Sequence, residues 1–200
     1  QPDFQGRDSF QGQWVHPQFW PDDLDYTGKR VVVIGSGATA MTLVPNMALK
    51  AEKVTMVQRS PTYVVSRPSV DAFANFLRHI LPASWAYSLV RFKNTLWQQL
   101  IYNQTRTNPD RVAEKLLGEV EKAVGDVVDV KKHFTPTYNP WDQRLCLVPD
   151  DDLFTALRTG KAEVVTDTIS HIDATGLVTG SGERIEADII VSATGIELLN

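Results

Sequence analysis

A chain of 200 residues with 42% apolar and 22% charged residues has the makeup of a globular protein: one large domain, or one domain with an insertion. Its net charge of -4 gives no general pull toward nucleic acid or anionic lipid. The single cysteine, Cys146, excludes an intrachain disulfide and a CxxC redox pair, and it suits a reducing, cytoplasmic compartment.

Residues 1–28 read as irregular chain ending in the turn Thr27-Gly28, with the aromatic-rich stretch "FQGQWVHPQFWP" from Phe10. "KRVVVIGSGATA" then gives a strand from Val31 to Ile34, a glycine-rich turn and a helix from about Ala38. Pro45 is expected to bend that helix or shift its start. Val54 to Gln58 is a second strand, completing β-α-β. Helical spacing follows from Asp71 to about Asp126: Phe73, Phe76, Leu77 and Ile80, a break at Leu81-Pro82, then a stripe from Trp85 to Ile101. Asn108-Pro109-Asp110 starts a last helix. This segment interrupts the β-α-β rhythm and reads as an insertion; its aromatic face could meet lipid, substrate or a partner domain, and is expected to pack on its own helices and the body.

"HFTPTYNPWDQRLCLVPDDD" reads as an ordered surface loop, with Asp150 to Asp152 capping the short helix "DDLFTALRTG" and Gly160 ending it. The remainder is β: "AEVVTD", a meander with turns at Ala174–Gly176 and Gly180–Gly182, and the buried strand "DIIVSATG". The expected fold is α/β: a Rossmann-like three-layer domain with a β-meander and a helical insertion. A meander at this point favours flavoproteins with paired nucleotide-binding domains over simple dehydrogenases.

"GSGATA" matches GxGxxA. Gly35 permits a sharp turn, Gly37 close approach of a pyrophosphate, and Ala40 close helix–strand packing. Ser36, Ala38 and Thr39 can present backbone N–H groups to an anion at the helix N-terminus. NAD sites usually carry an acid at the end of the second strand; here it ends Gln58-Arg59-Ser60. Arg59 and Ser60 suit a 2′-phosphate, so NADPH is the expected nucleotide. "GSGERI" from Gly180 has no helix after it and is a hairpin turn. His79, His133 and His171 lack metal-ligand companions, so no metal site is assigned.

"FQGQWVHPQFWP" fits FxGxxxHxxxWP through Phe10, Gly12, His16, Trp20 and Pro21. That pattern resembles the fingerprint of the Baeyer–Villiger monooxygenases, a branch of the flavin-containing monooxygenases. "GSGATA" and "QRSP" resemble the family's NADPH site, and "SATG" resembles the strand leading back to its FAD domain, which adds Thr194 and Gly195 to the cofactor-binding residues. "YNPWDQRLCLVPD" is similar to the mycobacterial ethionamide-activating type. The resemblance implies that NADPH reduces FAD and that a C4a-peroxyflavin transfers one oxygen of O2 to a ketone or a sulfur compound. Arg144 aligns with the family's active-site arginine, a cation that balances charge without giving up a proton. The lysine usual before it is Gln143 here, which shifts load onto Arg59. His16 would couple nucleotide binding to domain movement; the alternative is a histidine kept for its structural hydrogen bonds. Trp20 is expected to pack rather than to touch cofactor, and Cys146 to be inert.

The resemblance divides the chain into an interdomain linker at 1–28, an NADPH-binding domain at 29–70 and 127–200, and an insertion at 71–126. The sequence starts without methionine, stops at "GIELLN" and carries one nucleotide motif, so it reads as a piece of a longer protein. Alone, that piece is expected to be inactive, its partner being the FAD domain of the same protein. Three alternatives remain: an N- or S-oxidising flavin monooxygenase, a non-oxygenating reductase, and an NADP-sensing domain without chemistry. No nucleic-acid partner is expected; membrane association is left open, though nothing in the sequence indicates it.

Overall fold

The computed structural model describes residues 2–195; residue 1 and residues 196–200, the outer ends of the expected linker and nucleotide-binding segments, lie outside it. Five strands form a parallel sheet: β1 (Gln13–Val15), β2 (Arg30–Ile34), β3 (Lys53–Gln58), β6 (Ala162–Thr166) and β10 (Ile189–Ser192), in the order β1-β10-β2-β3-β6. Its neighbours are in simple register, for example Val33 opposite Met56 and Val191. A second pair, β4 (Tyr63–Arg67) and β5 (Leu145–Pro149), is also parallel, and β7 (Ile169–Asp173), β8 (Gly176–Thr179) and β9 (Arg184–Glu186) make the antiparallel meander.

β2 shows why the domain has three layers. Successive strand residues point to opposite faces. Val31 and Val33 enter the cluster shared with α1 (Ala38–Ala48) and α6 (Asp152–Arg158), while Val32 and Ile34 enter the cluster shared with the meander residues Ile172, Leu177 and Ile185. Helices, sheet and meander thus stack as layers. Residues buried on both faces explain the continuous apolar run that the sequence shows.

α1 starts at Ala38 despite Pro45, which is buried inside the helix. The ring removes the N–H that would have bonded the carbonyl of Met41, so the missing bond, not a shifted start, is the consequence. Asn46 Nδ2 donates to the Thr42 carbonyl at 2.8 Å in the same stretch. Ala40, Met41, Val44, Met47 and Ala48 form the buried face.

Several sequence expectations change. Residues 1–28 are not wholly irregular: β1 docks on β10 as the sheet's edge, and Gly12 lies so close to the Asp188 carbonyl and the Phe10 ring that a Cβ would clash. Three residues are too short for a period-2 pattern to show. The loop after His133 contains β5, whose ladder on β4 is a long-range pairing that local pattern does not encode. The acids before α6 do not cap it as expected. Asp151, at the N-cap, makes no side-chain cap bond, Asp150 Oδ1 accepts from the Ser69 N–H at 3.0 Å, and Asp152 bonds only the adjacent Leu153 N–H.

The segment after β4 is α2 (Ala72–Ile80), α3 (Ala83–Thr107) and α4 (Pro109–Val124), followed by the short α5 (Val130–His133). Asp71 caps α2 through the Ala74 N–H, and α4 buries Val120 and Val124 against the body. The aromatic stripe of α2 and α3 does not pack on the body as expected. Phe76, Trp85 and Phe92 are exposed, because α2 turns Ala74 and Leu77 inward and α3 turns Ala86 and Thr105. No described helix is long and apolar enough to cross a membrane.

Candidate functional site

A cavity of about 600 Å³ opens where β2, β3, β6 and β10 end. Each strand delivers its next residues to the rim: Gly35 to Gly37 and Thr39, Arg59 and Ser60, Asp167 to Ile169, and Ala193 to Gly195. The carboxyl ends of parallel strands are where open α/β sheets bind ligands.

The glycine turn is shaped by two separate needs. Gly35 has φ +127°, and a Cβ there would lie 2.5 Å from the Ala193 carbonyl oxygen, so glycine is required by the neighbouring strand. At Gly37 a Cβ would meet no protein atom within 4 Å. Gly37 is the N-cap of α1, and the first N–H groups of the helix have no intrahelical acceptors. The open space above Gly37 therefore faces donors and the positive end of the helix dipole, a site suited to a phosphate group. Ala40 is fully buried under the turn, and neither it nor Ala38 lines the cavity.

β5 braces the turn from below. Arg144 Nη2 donates to Ser36 Oγ at 3.0 Å, and Cys146 Sγ lies 3.7 Å from the Ser36 carbonyl oxygen. Burial pushes the Cys146 thiol up, so it stays protonated and packs. Arg144 itself is exposed and lines the cavity, which places its cation beside the turn.

Arg59 and Ser60 are exposed at the rim, and the Arg59 guanidinium makes no hydrogen bond or ion pair among the described residues. Next to them is a residue that sequence reading missed. Asp167 follows Thr166, which is paired with Gln58, so the acid stands beside Arg59 at the ends of adjacent strands. Its carboxylate accepts the Ser181 N–H at 2.9 Å and the Thr168 N–H at 2.7 Å. Hydrogen bonding from Ser181 foremost, and from Thr168, holds the Asp167 carboxyl far below the usual carboxylate range. The signal for Asp167 was a strand pairing more than a hundred residues away in sequence, which local inspection does not see.

His16 is buried and does not line the cavity, although Pro17 beside it does. Its Nδ1 accepts the Gln18 N–H at 3.3 Å, so Nε2 carries the proton and donates to the Gly195 carbonyl at 2.9 Å. The histidine thus ties the segment after β1 to the segment after β10. Trp20 packs against the helix-side core. Among the described residues no group of three His, Cys, Asp or Glu side chains could hold a metal ion.

A family model described as flavin-binding monooxygenase-like matches residues 1–198. The chain is 53% identical to "Probable FAD-binding monooxygenase AlmA" of Acinetobacter baylyi, over 99% of this chain and 40% of that protein. It is 52% identical to "FAD-containing monooxygenase EthA" of Mycobacterium tuberculosis, over 98% of this chain and 40% of that protein. Among solved structures, an oxidized steroid monooxygenase bound to NADP shares the fold with a TM-score of 0.75 at 24% identity, covering 98% of this chain and 44% of that one. The chain therefore spans about two fifths of the length of the curated relatives it matches. A glycine turn opening α1, a cation at the end of β3, the histidine motif and a match along nearly the whole chain agree: this chain belongs to the flavin-binding monooxygenase-like family.

Proposed function

We propose that this chain is the NADPH-binding part of an FAD-dependent monooxygenase that transfers one oxygen of O2 to a ketone or a sulfur compound. The observation that carries the reading is the convergence of the Gly35–Gly37 turn, Arg59 and Arg144 on one cavity at the ends of the parallel strands. The residues fit NADPH: the α1 N-terminus and the space over Gly37 suit the pyrophosphate, and unpaired Arg59 with Ser60 suits the 2′-phosphate. Thr194 and Gly195 close the opposite rim. The bound nucleotide supplies hydride. One glycine-rich strand–turn–helix is present among the described residues, which supports holding FAD mainly on the remaining part of the protein.

Within this reading Arg144 is the catalytic cation. It stays charged without transferring a proton, and its bond to Ser36 fixes it beside the nucleotide turn. His16 positions rather than reacts, because both its nitrogens are already engaged and it stands outside the cavity wall. Residues 1–28 form the linker, with β1 laid along the edge of the body's sheet, 29–70 and 127–200 the nucleotide-binding body, and 71–126 the insertion. The partner is the FAD domain of the same protein, acting in the cytoplasm, where the one buried cysteine of this chain would stay reduced.

The test is calorimetric titration of the full-length protein with NADP+ and NAD+, repeated on Arg59→Ala. A guanidinium–phosphate contact worth about 1.5–3 kcal/mol predicts a loss of about tenfold to a hundredfold for NADP+. NAD+ affinity should hardly change. Equal binding of the two nucleotides by the unmodified protein would sink the assignment.

A further inference from the structure

Arg144 ends a segment without regular structure, Phe134 to Arg144, and β5 begins at the next residue. Among the described residues its guanidinium bonds only Ser36. An exposed arginine keeps many rotamers, so the placing of this cation depends on how the chain behind it is held. The Tyr138 hydroxyl donates to the Arg144 carbonyl at 3.2 Å. Thr62 Oγ1 stands 2.8 Å from Tyr138 Oη and 3.4 Å from the same carbonyl. Each hydroxyl has one proton, so with Tyr138 donating to the carbonyl, Thr62 donates to Tyr138. Closer to Arg144 along the chain, Asp142 Oδ1 accepts from Arg106 Nη1 of α3 at 2.6 Å.

The base of this hold is rigid. Thr62 is buried, and it immediately precedes Tyr63, which pairs with Leu145 in the β4–β5 ladder. Buried Tyr63 carries the Tyr138 ring edge-on, with centroids 5.6 Å apart and planes at 90°. Between Tyr138 and Arg144, Trp141 has φ +69°, a conformation that a bulky residue keeps only where its surroundings impose it. A hydroxyl bond to the carbonyl of an exposed residue adds little stability, because water can take its place. What it adds is direction. We propose that Tyr138, backed by Thr62, is a positioning residue: it fixes the Arg144 backbone so that the guanidinium stays beside the nucleotide turn. The inference rests on the reading of Arg144 as the catalytic cation. The insertion adds to the hold through Arg106, and this exposed ion pair is the weaker contribution.

The test uses the full-length, flavin-loaded protein with NADPH, read in two ways that need no organic substrate: anaerobic reduction of the flavin, and NADPH oxidation in air. Arg144→Ala sets the reference shift in both rates. Tyr138→Phe keeps the ring on Tyr63 and loses only the hydroxyl. It should move the rates in the same direction by about fivefold to tenfold, with thermal melting unchanged, because a small misplacement of a catalytic group is costly. Thr62→Val should do the same, and Thr62→Ser, which keeps the hydroxyl, should restore the rates. Joined to Arg144→Ala, Tyr138→Phe should add nothing, since a positioning residue acts only through the group it places. Unchanged rates in Tyr138→Phe beside shifted rates in Arg144→Ala overturn the inference and leave the reading of Arg144 standing. So does a full additional effect in the double variant, or a rate change that comes with a lowered melting temperature. Unchanged rates in Arg144→Ala overturn the reading of Arg144 itself, and this inference with it.

Discussion

Phe154 and Phe92 are the same residue type on helices of the same domain, yet one is 1% exposed and the other 68%. Phe154 sits on α6 under the sheet, edge-on to Phe134 with ring centroids 6.1 Å apart. Phe92 faces outward from α3. The body is built for its own stability: the sheet buries both faces, and the glycine turn is supported by β5 and β10. The α2–α3 hairpin leaves its apolar side unsatisfied. Apolar periodicity identifies a helix and its greasy face, but not what that face meets. In the body it meets the sheet; in the hairpin it stays exposed among the described residues.

The largest effect that sharpens this contrast is truncation of the two phenylalanines. Phe154→Ala should cost about 3–5 kcal/mol in chemical denaturation, because a buried ring leaves a cavity. Phe92→Ala should stay within about 0.5 kcal/mol. A comparable loss at both positions would mean that the hairpin is part of the core.

Gly35→Ala comes next. The added Cβ meets the Ala193 carbonyl at a positive φ, so a loss of about 2 kcal/mol or more is expected, together with weakened NADP+ binding. Gly37→Ala, where the protein leaves open space, should leave denaturation nearly unchanged while weakening NADP+ binding. Calorimetry beside denaturation separates the two glycines: one serves the fold as well as the ligand, the other the ligand alone.

A smaller effect tests the body's polar interior. His133 Nδ1 lies 2.8 Å from Thr166 Oγ1, and its carbonyl accepts from the buried Gln58 side chain at 2.7 Å. Burial foremost, with Lys132 adding to it, lowers the His133 pKa. A lowered histidine pKa contributes stability that is full above the unfolded value of about 6.5 and is lost as pH falls toward the folded value. The melting temperature should therefore drop between about pH 7 and pH 5, and His133→Gln should flatten that slope. An unchanged slope would show that His133 takes up its proton over the same pH range in both states.

Much of the body was legible because its signals are local. Four valine–isoleucine positions followed by GSGATA gave β2, the turn and the start of α1, and the glycine-ended hairpins gave the meander. Arg59 could be singled out because it immediately follows a recognisable strand. Asp167 could not, since its nearness to Arg59 arises from pairing between β3 and β6. β1 and β5 were missed for the same reason: each is short, and each exists through its partner strand.

By itself, the sequence determined the periodicities, the glycine turn, the basic residue after β3 and the spaced histidine motif, because each is a relation between near neighbours along the chain. The tertiary structure decided which face of α3 is buried, that Arg144 reaches Ser36, that an acid stands beside Arg59 and that His16 grips the Gly195 carbonyl. These depend on contacts between residues far apart in the chain, whose distances are set by the register of the parallel sheet and by how its layers close.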